Sequence, residues 1–200
     1  MARRMTPEAR RLEILAVARQ TIAEQGIRAL SIRELARRCG MSAPGLMHYF
    51  PDMQALLVAV LDERDRTDSA AVFDQAGGKG LLGLLDAGVD YYSSRAQESN
   101  NFDALEAEAQ DPFHPAHAYF AARFDRMVET VRPYAANEPG DPDDLFRVVR
   151  LILEGSRAQA LRGISLEERL ADWHAVRRVL LAHLGDTASR SSRHGEHDSP

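Results

Sequence analysis

Residues 31–50 constrain this chain most: Ser-Ile-Arg-Glu-Leu-Ala-Arg-Arg-Cys-Gly-Met-Ser-Ala-Pro-Gly-Leu-Met-His-Tyr-Phe. Ser31 suits the N-cap of a helix, and Glu34 stands three residues later at the capping-box position. Ile32, Leu35 and Ala36 then share one face at helical spacing. Gly40 supplies the conformational freedom that a sharp turn demands, and Met41 an apolar plug between two helices. Ser42 caps a second helix, with Pro44 in its first turn, where a missing N–H costs little. Two short helices joined by a tight turn read as a helix-turn-helix.

This segment resembles the DNA-binding domain of the TetR family of transcriptional regulators, and the likeness begins upstream. Thr6-Pro7-Glu8 starts a helix whose core face is Leu12, Ile14, Leu15, Ala18 and Ile22, and Gly26 ends it. The family pattern continues in Gly26-Ile27-Arg28-Ala29-Leu30-Ser31, Leu35-Ala36, Gly40-Met41-Ser42, His48-Tyr49-Phe50 and Ala55-Leu56-Leu57. The match runs in unbroken order over about residues 6–61. It implies that the second helix of the motif enters the major groove. The DNA-binding residues it points to are Ser31, Arg33, Ser42, Ala43, Pro44, Gly45, Met47, His48 and Tyr49. Arg33 is the best reader of a guanine edge among them. His48 and Tyr49 match positions whose side chains reach phosphates. Two residues depart from the family: Met47 stands where Tyr is usual and Met53 where Lys is usual, both commonly phosphate anchors. Arg3, Arg4, Arg10 and Arg11, in an N-terminal arm, are expected to compensate.

Charge distribution agrees with a nucleic-acid partner although the chain carries a net −5. Residues 1–50 hold nine arginines against four glutamates, while the remainder is acidic by ten charges. Local positive charge attracts phosphates, and an acidic remainder discourages indiscriminate binding. The single cysteine, Cys39, excludes an intrachain disulfide and suits packing at the turn. The apolar run Ile14–Ala18 is too short for a signal core, and no stretch of apolar residues is long enough to span a bilayer. A cytoplasmic protein without a membrane partner is expected.

After residue 50 the pattern is helical, with no strand alternation. Asp52 caps a long helix carrying Leu56, Leu57, Val60 and Leu61, which Gly77-Gly78 ends. Leu81, Leu82, Leu85, Val89 and Tyr92 form the next stripe. Ser99-Asn100-Asn101 reads as a loop before a short helix from Phe102 to Ala109, and a further helix spans His114 to Tyr134. Asp141-Pro142 opens a helix to about residue 162, and Ser165 caps the last one. The predicted fold class is all-α. An N-terminal three-helix helix-turn-helix domain covers 1–51, a C-terminal helical ligand-binding and dimerisation bundle covers 52–185, and 186–200 form a disordered tail.

The resemblance implies that the last two long helices pair with those of a second subunit. The interface residues expected are Leu145, Val149, Ile152, Ser156, Leu170, Trp173 and Leu180; the alternative is an internal core pair in a monomer. Tyr91, Tyr92, Phe102, Phe113, His117, Phe120, Phe124 and Met127 are the candidates for lining an effector pocket, each with a core role as the alternative.

A polar cluster, Glu106, Glu108, Asp111, His114 and His117, offers ligands for a divalent metal or a cationic molecule. It lacks the His-Glu-x-x-His spacing and is interrupted by Pro112 and Pro115, so helix caps and surface charges are the favoured reading. No metal and no cofactor is expected. With no glycine-rich phosphate loop and no Gly-x-Ser-x-Gly elbow, the chain does not read as an enzyme. The expected function is that of a ligand-responsive transcriptional repressor, binding double-stranded operator DNA as a homodimer and responding to a small-molecule effector. The rival readings are a small helical metal-dependent hydrolase and a helical interaction protein without operator binding.

Overall fold

A computed structural model describes residues 5–195, apart from the side chains of Phe124 and of residues 184–195. Its helices are α1 (Pro7–Gln25), α2 (Ile32–Arg38), α3 (Ala43–Met47), α4 (Met53–Ala76), α5 (Gly80–Ser93), α6 (Ala96–Glu108), α7 (His117–Ala135), α8 (Pro142–Leu161) and α9 (Leu166–Gly195). A 3-10 turn at Ile27–Ala29 joins α1 to α2, and no strand occurs among the described residues. The all-α expectation holds.

Local chemistry sets the helix starts. Thr6 Oγ1 accepts from the Ala9 amide at 3.2 Å, Asp52 Oδ1 from Ala55 at 2.7 Å, and Ser165 Oγ from Glu168 at 3.2 Å. Asp141 Oδ1 accepts from Asp143 at 2.8 Å. Each such cap satisfies an amide that the first helical turn leaves unpaired, and is worth about 0.5–2 kcal/mol. Gly26 and Gly40 end α1 and α2 at φ of 78° and 63°, a region that L side chains avoid.

The chain divides into two compact units. One comprises the residues up to 72 together with 94–123; the other comprises 73–93 and the residues from 124 onward. In the first unit, Ile14, Ala18 and Ile22 of α1 meet Leu35 of α2, Leu46 of α3 and Leu56, Leu57 and Val60 of α4 in one core. Phe102 and Leu105 of α6 and Tyr119 and Phe120 of α7 belong to that same core. Helix α6, counted by sequence with the C-terminal bundle, therefore packs on α1. The second unit has its own core of Leu81 and Leu85 from α5, Ala135 from α7, Val149 from α8, and Trp173 and Leu180 from α9.

Buried charge ties the first unit together. The Arg19 guanidinium on α1 donates to Thr67 Oγ1 (2.7 Å) and Asp68 Oδ1 (2.8 Å) on α4, and to Glu98 Oε1 (2.8 Å) on α6. Burial opposes its charge, but Asp68 and then Glu98 outweigh burial and hold Arg19 more firmly protonated than usual. Asp68 is 2% exposed and also faces Arg64, whose Nε lies 3.3 Å away. Arg64 in turn stands over the Phe102 ring, 4.1 Å from its centroid. Beside it, Asp65 accepts from Tyr119 Oη at 2.6 Å and Arg123 Nε at 2.8 Å, joining α4 to α7.

Several boundaries differ from the sequence reading. Residues 99–101 lie inside α6, where Asn101 Nδ2 donates to the Ala23 carbonyl at 2.7 Å. A tertiary hydrogen bond thus employs a side chain whose propensity favours loops. Leu12 is 43% exposed, outside the core face of α1. Helix α9 continues to Gly195 through residues whose polarity suggested a disordered tail; once a helix is nucleated, each further residue adds a backbone bond. Residues 196–200 lie outside the described residues, as do Arg3 and Arg4.

Candidate nucleic-acid interface

The α2–turn–α3 segment is built from short-range bonds over a sealed base. Ser31 Oγ accepts from Glu34 N at 3.2 Å, the Met41 amide donates to the Ala36 carbonyl at 2.9 Å to close the turn, and Ser42 Oγ accepts from Gly45 N at 3.1 Å. Leu35, Leu46 and Phe50 are at most 2% exposed and hold both helices onto the core. Cys39 packs beneath the turn as a buried free thiol, and burial raises its pKa. Gly45 is explained locally as well. A Cβ there would stand 3.1 Å from Ser42 Oγ and crowd the hydroxyl that caps α3.

The expected capping box is only half formed, and this changes the electrostatics of the face. The Glu34 carboxylate accepts from Arg37 Nε (2.8 Å) and Nη2 (2.7 Å) and from Arg38 Nε (2.9 Å). Hydrogen bonds from Arg37 and then Arg38 hold its pKa down at about 2. Arg38 also donates to Thr21 Oγ1 at 3.3 Å. Two of the three α2 arginines are thus committed within the domain. Arg33 is exposed and forms no ion pair among the described residues.

Arg10 and Arg11, expected in an N-terminal arm, belong to α1. Arg10 pairs with Glu13 at 2.6 Å and reaches the Cys39 carbonyl at 3.4 Å. Arg11 lies over the Phe50 ring at 5.0 Å. Met53 is half-buried against the core, so it offers little to a partner. Of the predicted DNA-binding residues, Ser31, Arg33, Ser42, Pro44, Met47 and His48 are exposed, whereas Ala43, Gly45 and Tyr49 are half-buried. His48 meets Tyr49 edge-on at 5.9 Å.

The predicted effector residues fall in both units. Phe102 and Phe120 fill the core of the first unit, and Phe113 is 95% exposed in the α6–α7 connection. His117 places Nδ1 2.8 Å from the Ala109 carbonyl. Tyr91 and Tyr92, in contact edge-on at 5.2 Å, and the half-buried Met127 belong to the second unit. Phe124 lies outside the described side chains. Aromatic rings contribute large apolar areas to helix packing, and Phe102 and Phe120 are used that way. An open cleft of about 650 Å³ between α1 and α4 is lined by Arg11, Leu15, Asp52, Val58, Asp62 and Arg66 among others, and by none of the predicted effector residues.

The acid and histidine cluster has a local structural role. His114 Nδ1 accepts from Ala116 N at 3.1 Å, and Asp111 Oδ1 accepts from Phe113 N at 2.9 Å. Glu106 faces Arg123 at 3.6 Å and Glu108 faces Arg28 at 3.3 Å. Among the described residues no group of three or more His, Cys, Asp or Glu is placed to hold a metal ion.

The predicted dimer stripe is largely internal. Val149, Trp173 and Leu180 are 2, 8 and 7% exposed in the core of their own unit, with Leu145 and Ile152 packed against it. Leu170 is half-buried and Ser156 exposed. Trp173 Nε1 donates to Asp86 Oδ1 at 3.1 Å, and Arg177 Nε donates to the same carboxylate at 2.8 Å, pinning α9 to α5. A second apolar stripe faces outward instead, with Val148 at 43%, Leu151 at 68% and Val179 at 69% exposure.

An all-α chain with a capped, solvent-facing α2–turn–α3 and a separate helical core defines a helix-turn-helix protein. Comparison with known proteins refines this. Residues 14–60 match the family described as bacterial regulatory proteins, tetR family. Over 77 residues the chain is 39% identical to an HTH-type transcriptional repressor of Mycobacterium tuberculosis, an alignment covering 38% of this chain and 39% of that protein. A TetR transcription regulator from Haloarcula marismortui has the same fold, with TM-score 0.67, 20% identity and coverage of 90% of this chain and 98% of that one. A TetR-family transcriptional regulator from Streptomyces coelicolor gives 0.65 at 22% identity, covering 84% and 94%. The N-terminal segment thus matches the TetR family of bacterial regulatory proteins, and the chain as a whole shares the fold of those solved structures.

Proposed function

We propose that the protein is a ligand-responsive transcriptional repressor that binds a palindromic operator as a homodimer. The observation that carries this reading is the family match over residues 14–60 falling on a helix-turn-helix whose DNA-binding candidates Arg33, Met47 and His48 are open to solvent. One such unit touches few base pairs, so two-fold pairing is needed to match half-sites about one helical turn apart. The outward stripe of Val148, Leu151 and Val179 suits that pairing better than the buried stripe indicated by periodicity. The effector would act through the second unit, by favouring a conformation that DNA does not. Regulators of this family are generally not enzymes, and this chain is read the same way.

Capture and footprinting of genomic fragments bound by the purified protein tests the proposal. Enrichment of a palindromic sequence is expected; no enrichment over shuffled DNA would defeat it. On the captured operator, Arg33→Ala should cost about 1–3 kcal/mol and relax the preference at one position if Arg33 reads a base. A uniform loss on all sequences with a shallower salt slope would assign Arg33 to phosphate.

A further inference from the structure

We infer that Met47, with Ala43 one turn before it, reads the operator through the C5-methyl groups of thymines in the major groove. This rests on the DNA-binding reading above and names the chemistry by which that site selects its sequence. The five residues of α3 offer almost no hydrogen-bonding side chain to a base edge. Ser42, just before the helix, accepts from the Gly45 amide and keeps a single hydroxyl donor, Pro44 has no N–H, and Leu46 is fully buried. Apolar groups remain. Met47 keeps 47% of its surface exposed, and Ala43, four residues before it, is half-buried against the core and leaves only part of its methyl on that face.

The partner chemistry follows from what the groove displays. Each base edge there presents hydrogen-bond donors and acceptors, and the apolar feature of the unmodified bases is the thymine methyl. A thioether and a methyl group placed over a bare N7 or O6 desolvate that acceptor and return no hydrogen bond. Placed over a methyl, they bury apolar surface on both sides, and the flexible methionine chain adapts to its position. Among the described residues, helix α2 adds one cation without an ion pair, Arg33, because Arg37 and Arg38 are held by Glu34. A half-site read by one arginine and by methyl contacts is the arrangement these groups favour.

Deoxyuridine replaces thymine without altering pairing and removes only the methyl. Each thymine of the captured operator is replaced in turn, and Kd is measured for the wild type and for Met47→Ala, an exposed position where the fold is not at risk. At least one thymine in each half-site should raise Kd about fourfold for the wild type, the effect of burying one methyl-sized group. The same replacement should change Kd less than twofold for Met47→Ala. Operators carrying 5-methylcytosine form a second arm. If methylated cytosines alter binding and no thymine does, the methyl source is a modified cytosine and the thymine assignment is overturned. If the operator is bound specifically and every deoxyuridine leaves Kd within twofold, the inference fails while the DNA-binding reading stands. Absence of specific binding to any DNA overturns both.

Discussion

Replacing Arg19 by methionine removes the guanidinium that joins three helices of the first unit. The side chain donates to Thr67, Asp68 and Glu98 at 2.7–2.8 Å. Asp68, at 2% exposure, cannot regain water when that partner leaves. Breaking a buried pair by removing one partner costs about 3–5 kcal/mol. Two features reduce the figure here: the Arg19 side chain is 24% exposed, and Arg64 still faces Asp68 at 3.3 Å. A loss of about 2–3 kcal/mol is expected. Adding Asp68→Asn removes the buried carboxylate that has lost Arg19 and leaves Arg64 and Glu98 with balanced charge, so the double variant should recover about 1 kcal/mol relative to Arg19→Met. The assay must report on the correct unit, because two units need not unfold together. Trp173, the single tryptophan, belongs to the second unit, so its fluorescence misses the event. Hydrogen exchange of peptides from α1 and α6 under increasing urea measures it directly. Protection in Arg19→Met within about 0.5 kcal/mol of wild type, or a double variant whose loss is the sum of the two single losses, would refute the reasoning.

Further expectations concern charge, pH and assembly. Glu34→Gln releases Arg37 and Arg38 and should steepen the salt dependence of DNA binding by up to about 0.9 in slope for each arginine that gains a phosphate; an unchanged slope would show that neither reaches one. The pKa of Asp65 is lowered although burial opposes its charge, because Arg123 and then Tyr119 favour the carboxylate. A depressed folded pKa gives stability that is present above the unfolded value of about 3.9 and lost as pH falls through the folded one. Acid unfolding of the first unit should therefore steepen below about pH 4 and be flatter there in Asp65→Asn, which hydrogen exchange across a pH series would detect. Leu151→Glu should leave the second unit within about 0.5 kcal/mol of wild type and halve the mass measured by light scattering, whereas Trp173→Ala should destabilise that unit by about 3–5 kcal/mol. A dimer that tolerates Leu151→Glu would remove α8 from the interface.

The helix starts were legible because a cap is a bond between residues two or three apart. Thr6, Ser31, Ser42, Asp52, Asp141 and Ser165 each find an amide that their own sequence delivers. The turn glycines Gly26 and Gly40, and the buried anchors Leu35 and Leu46, were legible for the same reason. Choices among partners of similar energy were not. Glu34 can cap its own helix or bind Arg37 and Arg38, and the guanidinium bonds took it. The triplet 99–101 has loop propensity in isolation and becomes helical where Asn101 reaches the Ala23 carbonyl. Phe102 and Phe120 suit a pocket or a core equally by composition, and α1 and α4 supplied the core. Helices α8 and α9 each carry two apolar stripes. By itself, then, the sequence determined that this is an all-α chain with a helix-turn-helix at residues 31–50. Which face of each later helix turned inward was decided by the tertiary structure, because periodicity records that a face is apolar and only a packed neighbour determines what covers it.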